Sequence, residues 1–236
     1  SGMTSWVTER SLARPTSSAG AAVWRRPLTW VMAAAFAAQT FSYYAISGWL
    51  PTALVDELSM SESAAGVAAS VFSLLGIVGP LLVPVMFEAL WWPASRVLGV
   101  ICACWLMLPI CLTVAPGYWL VPCMLSGIAQ GAFFAALFTL VIRRSESVDE
   151  NRQTTAIIQT TGYCLAAVGP VVMGWVHERS GGWVAPFSMV VGVLVLMTVC
   201  AQVAAHAGDS AGRPGPSIPA GVLRGDDERA ERGGEQ

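Results

Sequence analysis

The stretch IIQTTGYCLAAVGPVVMGW, residues 157–175, decides how this chain is read. It lies in a run apolar enough to cross a bilayer, yet it carries a glutamine, a tyrosine, three glycines and a proline. On a helix turning 100° per residue, Gln159, Tyr163, Ala166 and Pro170 fall within one narrow arc. Gly162 and Gly169 form a stripe beside that arc, where a neighbouring helix can come close. Pro170 removes a backbone hydrogen bond, and a proline that follows a glycine marks a bend. The stretch therefore predicts a kinked membrane helix with one polar face.

Composition extends that reading to the whole chain. Of 236 residues, 55% are hydrophobic and 12% charged, against roughly 25% charged in a soluble globular domain. So few charges cannot cover a water-facing surface. All 13 basic residues are arginine and the net charge is −2. No basic cluster points to a nucleic-acid partner. The six cysteines lie inside apolar runs without C-x-x-C or Cys/His spacing. They read as small hydrophobes, with no disulfide framework, metal site or cofactor expected.

Apolar runs of 18 or more residues read as transmembrane helices, since a hydrocarbon core about 30 Å thick needs about 20 residues. Six are present, at 28–50, 66–87, 97–115, 119–142, 154–176 and 183–205. They make residues 27–207 an all-α integral membrane bundle. Short links force neighbouring helices to run antiparallel, with a loop expected from residue 51 to 65. Arg25, Arg26, Arg96, Arg143, Arg144 and Arg152 lie on one side and Arg179 on the other. By the positive-inside bias, both termini face the cytoplasm of a multi-pass protein of a bacterial inner (plasma) membrane. Residues 1–26 form a polar cytoplasmic segment. Residues 208–236, rich in Gly, Pro and charge, are expected to be a disordered tail.

No Asp, Glu, Lys or Arg sits at mid-membrane depth, so the spans offer no proton relay or voltage sensor. They offer neutral polar and aromatic faces instead. In the first span Gln39, Ser42, Tyr43 and Ile46 share a face, with Tyr44 about 100° further round. In the fourth, Ser126, Gln130, Phe133 and Leu137 share one, with Phe134 beside it. Any single residue of this kind can be interhelical glue, worth about 0.6 kcal/mol. Three helices each with a glutamine and an aromatic on one face predict a shared polar cavity among spans one, four and five. Its expected lining is Gln39, Tyr43, Gln130, Phe133, Gln159 and Tyr163. Gly79-Pro80 in the second span predicts a bend like that at Gly169-Pro170.

An intramembrane serine protease needs a G-x-S setting in the fourth span, and Ser126 follows Met124-Leu125 instead. His206, the histidine of the sixth span, stands at its extreme end. No selectivity-filter motif marks a channel. The chain is expected not to be an enzyme. A transporter half is the leading reading, and a non-transporting membrane assembly subunit or an inactive fragment is its alternative.

The segment LSGIAQGAFFAALFTLVIRR (125–144), followed by TTAIIQTTGYCLAAVGPVVMGWVHERSGGW (154–183), resembles spans four and five of a C-terminal half-transporter. The family is the cyanate/nitroimidazole transporters of the major facilitator superfamily. Its G-x-x-Q-G helix, arginine-led loop, Q-x-x-G-Y-x-x-A-x-x-G-P run and following G-x-W are met here in order. The matching residues are Gly127, Gln130, Gly131, Gln159, Gly162, Tyr163, Ala166, Gly169, Pro170, Gly182 and Trp183. YYAISGWLPTAL (43–54) and SESAAG (61–66) resemble the family's first span and following loop. The resemblance implies a carrier of a small solute, a cyanate-like anion or a small organic molecule, working by alternating access. It places Gln39, Tyr43, Gln130, Gln159 and Tyr163 at the solute site. Family members have twelve spans, so the resemblance also implies a second six-helix half. That half would be fused upstream, with residues 1–26 as the central loop, or would be a separate subunit or a second copy.

Overall fold

The computed structural model describes residues 23–209. The expectations for residues 1–22 and 210–236, the disordered tail among them, lie outside the described residues. The described residues are helical almost throughout and contain no strand. In hydrocarbon no water satisfies a bare N–H or C=O, so each backbone segment must pair with itself. From residue 27 on, the described residues form eight α-helices: α1 Pro27–Leu58, α2 Glu62–Leu75, α3 Gly79–Pro84, α4 Ala94–Val114, α5 Leu120–Arg144, α6 Val148–Ala166, α7 Gly169–Ser180 and α8 Val184–Asp209. A π-helical turn at Val85–Ala89 extends α3, and a 3-10 turn at Pro116–Tyr118 links α4 to α5.

Two pairs join end to end, α2 with α3 and α6 with α7, so the described residues form six rods. Five of them, Glu62–Ala89, Ala94–Val114, Leu120–Arg144, Val148–Ser180 and Val184–Ala207, are long and apolar enough to cross a membrane. The sixth, α1, has 32 residues but is less apolar, because Gln39, Thr40, Ser42, Tyr43 and Tyr44 occupy its middle. α1 is the most enclosed rod, and Gln39 and Thr40 are satisfied there by hydrogen bonds to backbone carbonyls. Phe36, Ala45, Ile46, Leu50 and Leu54 on it are fully buried. It packs against α6, α8, α2 and α7, while α4 packs behind against α5 and α8.

Several boundaries differ from the sequence expectation, most of all the end of α1 and the start of the fifth rod. α1 does not stop at residue 50 but continues through Pro51 to Leu58. The proline costs one hydrogen bond, and the burial of Leu50, Ala53 and Leu54 along one face offsets it. The fifth rod starts at Val148, not 154. Ser147 Oγ accepts the Glu150 N–H at 3.1 Å, and the Glu150 carboxylate accepts the Glu146 N–H at 3.0 Å. This is a variant of the S-x-x-E capping box, and Asp149 and Glu150 also suit the positive end of the helix dipole.

Both Gly-Pro pairs stand where a rod breaks. Between α2 and α3 the chain tightens, with N–H bonds from Gly76, Ile77 and Val78 to the carbonyls of Ser73, Leu74 and Leu75. Between α6 and α7 the break falls at Ala167 and Val168. Pro80 and Pro170 carry no N–H, so neither can bond the carbonyl four residues back. Pro109 leaves the Trp105 carbonyl without its donor in the same way. There the neighbouring helix repairs the gap: Ser126 Oγ lies 3.1 Å from that carbonyl and 2.9 Å from the Cys104 carbonyl. It also accepts the Leu108 N–H at 3.1 Å.

Glycines set how closely the rods approach. A Cβ on Gly131 of α5 would stand 1.9 Å from the Gly76 carbonyl oxygen, and one on Gly79 would stand 2.2 Å from that of Ile128. Against α1, a Cβ on Gly162 would meet the Phe36 ring at 2.2 Å, and one on Gly169 the Phe41 carbonyl oxygen at 2.6 Å.

Candidate functional site

The bend after α2 pulls the backbone aside near the middle of the bundle, and a cavity opens there. It measures about 300 Å³ and is lined by Gln39, Thr40, Tyr43 and Tyr44 of α1, Gly76 and Pro80 of the second rod, Gln130, Gly131 and Phe134 of α5, and Tyr163 of α6. No carboxylate, guanidinium or imidazole is among these residues. Gln130 stands near the middle of the 25-residue α5, so the cavity is close to half membrane depth.

The polar groups fall into two sets. The Gln39 side chain is 3% exposed and fully engaged. Its carboxamide N–H donates to the Gln130 carbonyl at 2.9 Å, and its carbonyl accepts the indole N–H of the fully buried Trp105. Gln39 thus pins α1 to α4 and α5. Thr40 bonds backbone too, 2.9 Å to the Phe36 carbonyl and 3.1 Å to that of Gly162 on α6. In contrast, the hydroxyls of Tyr43, Tyr44 and Tyr163 and the carboxamide of Gln130 make no hydrogen bond to another described residue. A ligand can take these groups without breaking a bond within the protein.

The rings form two sets. Phe36 meets Tyr163 edge-on with centroids 5.6 Å apart, and Phe134 at 5.8 Å. Tyr43 stacks on Phe72 at 6.2 Å, and Phe72 in turn meets Trp105 at 5.8 Å. Tyr163, Tyr44 and Phe134 remain 47%, 42% and 39% exposed, so their faces look onto open space.

Of the residues the sequence singled out, Gln39, Tyr43, Gln130 and Tyr163 line this cavity, and so does Pro80. Two do not. Phe133 is fully buried in the core, and its neighbour Phe134 takes the cavity position. One residue is 100° on a helix, and the close seat of Gly131 against Gly76 rotates α5 so that Phe133 points inward. Gln159 is half-buried and outside the cavity lining. Gly76, Thr40 and Tyr44 lie on the wall without having been singled out for it. Gly76 carries no side chain to flag it, although the Gly79-Pro80 pair three residues on announces the bend that exposes it.

Gln39→Leu keeps the bulk but strands the buried Trp105 N–H. It is expected to cost about 1–2 kcal/mol, read as a fall of several degrees in the thermal midpoint of the detergent-solubilised protein.

A profile of the Major Facilitator Superfamily matches residues 32–225. The 2-nitroimidazole transporter of Escherichia coli (strain K12) is 27% identical over 179 residues, covering 75% of this chain and 44% of that protein. An uncharacterized transporter of Bacillus subtilis (strain 168), YycB, is 24% identical over 186 residues, covering 76% of this chain and 45% of its own length. The chain therefore spans less than half the length of these two curated relatives. With its bent rods, central uncharged cavity and a profile match over most of its length, the chain belongs to the Major Facilitator Superfamily.

Proposed function

We propose that this chain supplies one wall of a solute carrier, and that the cavity between α1, the α2–α3 bend, α5 and α6 is its share of the solute site. A second six-helix half, fused, separate or a second copy, faces that wall, and this chain corresponds to the C-terminal half. The two halves rock about the site to give alternating access. The protein sits in the inner membrane with the arginine-rich ends of its rods, and both termini, on the cytoplasmic side.

The observation that carries this reading is the uncharged wall with unspent hydrogen-bonding groups. An ion at half membrane depth needs a counter-charge or a full set of dipoles. This wall offers phenol hydroxyls, one carboxamide and ring faces. Those suit a small, uncharged, flat polar solute better than the anion suggested by a cyanate-like resemblance. A nitroimidazole, the solute that names the Escherichia coli relative, is small, flat and polar and is the first solute to try. The test is uptake of labelled 2-nitroimidazole, with cyanate in parallel, into vesicles containing the chain together with the half that completes the carrier. Uptake of the heterocycle above protein-free vesicles is expected. Equal uptake of both solutes in protein-free and protein-containing vesicles would sink the carrier reading.

A further inference from the structure

A second cavity, of about 480 Å³, lies at the end of the bundle that gathers the arginines, and it shares no residue with the solute site. It is lined by Phe87, Glu88, Trp91, Trp92, Pro93 and Arg143. The π-helical turn Val85–Ala89 builds its floor. The Leu90 N–H reaches the Val85 carbonyl at 3.0 Å and the Trp92 N–H reaches that of Met86 at 3.1 Å. Closing that wide turn places Trp91 at φ 51°, in the left-handed region that a bulky side chain rarely adopts. The result is an indole 85% exposed beside Leu90 at 50% and Val85 at 49%. Strain of this kind persists where the surrounding structure imposes it, and it is concentrated at binding sites.

Two opposite charges line this cavity without pairing. Among the described residues the ion pairs are Arg26–Glu150 and Arg152–Asp149, and Glu88 and Arg143 belong to neither. The Arg143 guanidinium lies 4.4 Å over the Phe87 ring instead. Nearby, Arg96 lies 5.9 Å over Trp92, so the aromatic rim is itself cation-bearing. A fixed cation and a separate carboxylate, rimmed by tryptophans at the end of membrane rods, match a ligand that carries both charges itself.

We propose that this cavity holds the headgroup of a zwitterionic phospholipid bearing a primary amine. The lipid phosphate accepts hydrogen bonds from Arg143, and its ammonium donates to the Glu88 carboxylate. Trp91, Leu90 and Val85 lie against the glycerol and upper acyl chains, where tryptophan settles in a bilayer. An anionic headgroup without an amine leaves Glu88 unpaired beside a second negative charge. A quaternary amine has no N–H to give the carboxylate.

The test is native mass spectrometry of the protein from nanodiscs holding equal amounts of phosphatidylethanolamine, phosphatidylglycerol and phosphatidylcholine. Retention of phosphatidylethanolamine about tenfold over the other two is expected, as one charge-assisted bond would give. Glu88→Gln removes that preference and leaves phosphatidylglycerol retention unchanged or raised. Arg143→Gln lowers retention of all three. Both side chains are exposed, so an unchanged melting midpoint serves as the folding control. Equal retention by the wild type overturns the proposal, as does a preference that survives Glu88→Gln in the folded variant. Displacement of the lipid by millimolar glycerophosphoethanolamine assigns the site to a water-soluble ligand and overturns it too.

Discussion

Gly131→Val is expected to lower the stability of the solubilised protein by about 3 kcal/mol or more, a fall of roughly 6–12 °C in its thermal midpoint. The first atom of any side chain at this position would lie 1.9 Å from the Gly76 oxygen, with the Gly76 carbonyl carbon and Cα at 2.7 and 2.9 Å. All three are backbone atoms, so no rotamer change relieves the overlap. Restoring an ordinary C···O contact near 3.3 Å would part the two rods by roughly 1.4 Å. The same crossing is closed from the other side by Gly79, whose Cβ would stand 2.2 Å from the Ile128 oxygen and 2.3 Å from the Ala132 nitrogen. A shift therefore opens the whole α3–α5 seam and the cavity beside it. Gly66→Ala is the matched control, since a Cβ there meets nothing within 4 Å. It is expected to stay within about 0.5 kcal/mol of the parent. A Gly131→Val protein that melts with the parent would show that the rods do not touch at this crossing.

Tyr163→Ala is expected to cut kcat/KM for the labelled heterocycle of the uptake assay by about tenfold to a hundredfold. The substitution removes an exposed ring face and a hydroxyl that no described residue uses. Tyr163 meets Phe36 edge-on and does not lie within the buried core, so the folding cost is small. Tyr163→Phe keeps the ring and separates its stacking from its hydrogen bond. An intermediate loss is expected from it. Met107→Ala, at an exposed position on α4 away from the cavity, is expected to leave uptake unchanged. If Tyr163→Ala and Met107→Ala behave alike, Tyr163 does not face the solute.

Much of this was legible in the sequence, and the failures are instructive. The rods could be read because apolar length is a strong signal, and the bends because Gly-Pro pairs are local. The lower apolarity of α1, which comes from Gln39, Thr40, Ser42, Tyr43 and Tyr44, is the trace of its interior position. The early start of α6 was written in Ser147 and Glu150, a cap that hydropathy does not register. What periodicity could not resolve was rotation. Phe133 and Phe134 differ by one 100° step, and only the backbone contact at Gly131 fixes which of them faces the cavity. Nor could spacing separate Gln39, whose carboxamide is used up by Trp105 and the Gln130 carbonyl, from Gln130, whose carboxamide is free for a ligand. That distinction depends on a partner 66 residues away along the chain.

It also supplies the most direct test of the proposal that this wall binds the solute. The measurement is the equilibrium dissociation constant of the labelled heterocycle for the purified protein and for Gln130→Ala, with no gradient applied, alongside the melting midpoint of each. The account predicts binding weakened about tenfold, from one lost hydrogen bond to a ligand, with the midpoint essentially unmoved. Equal dissociation constants in two equally stable proteins would contradict it.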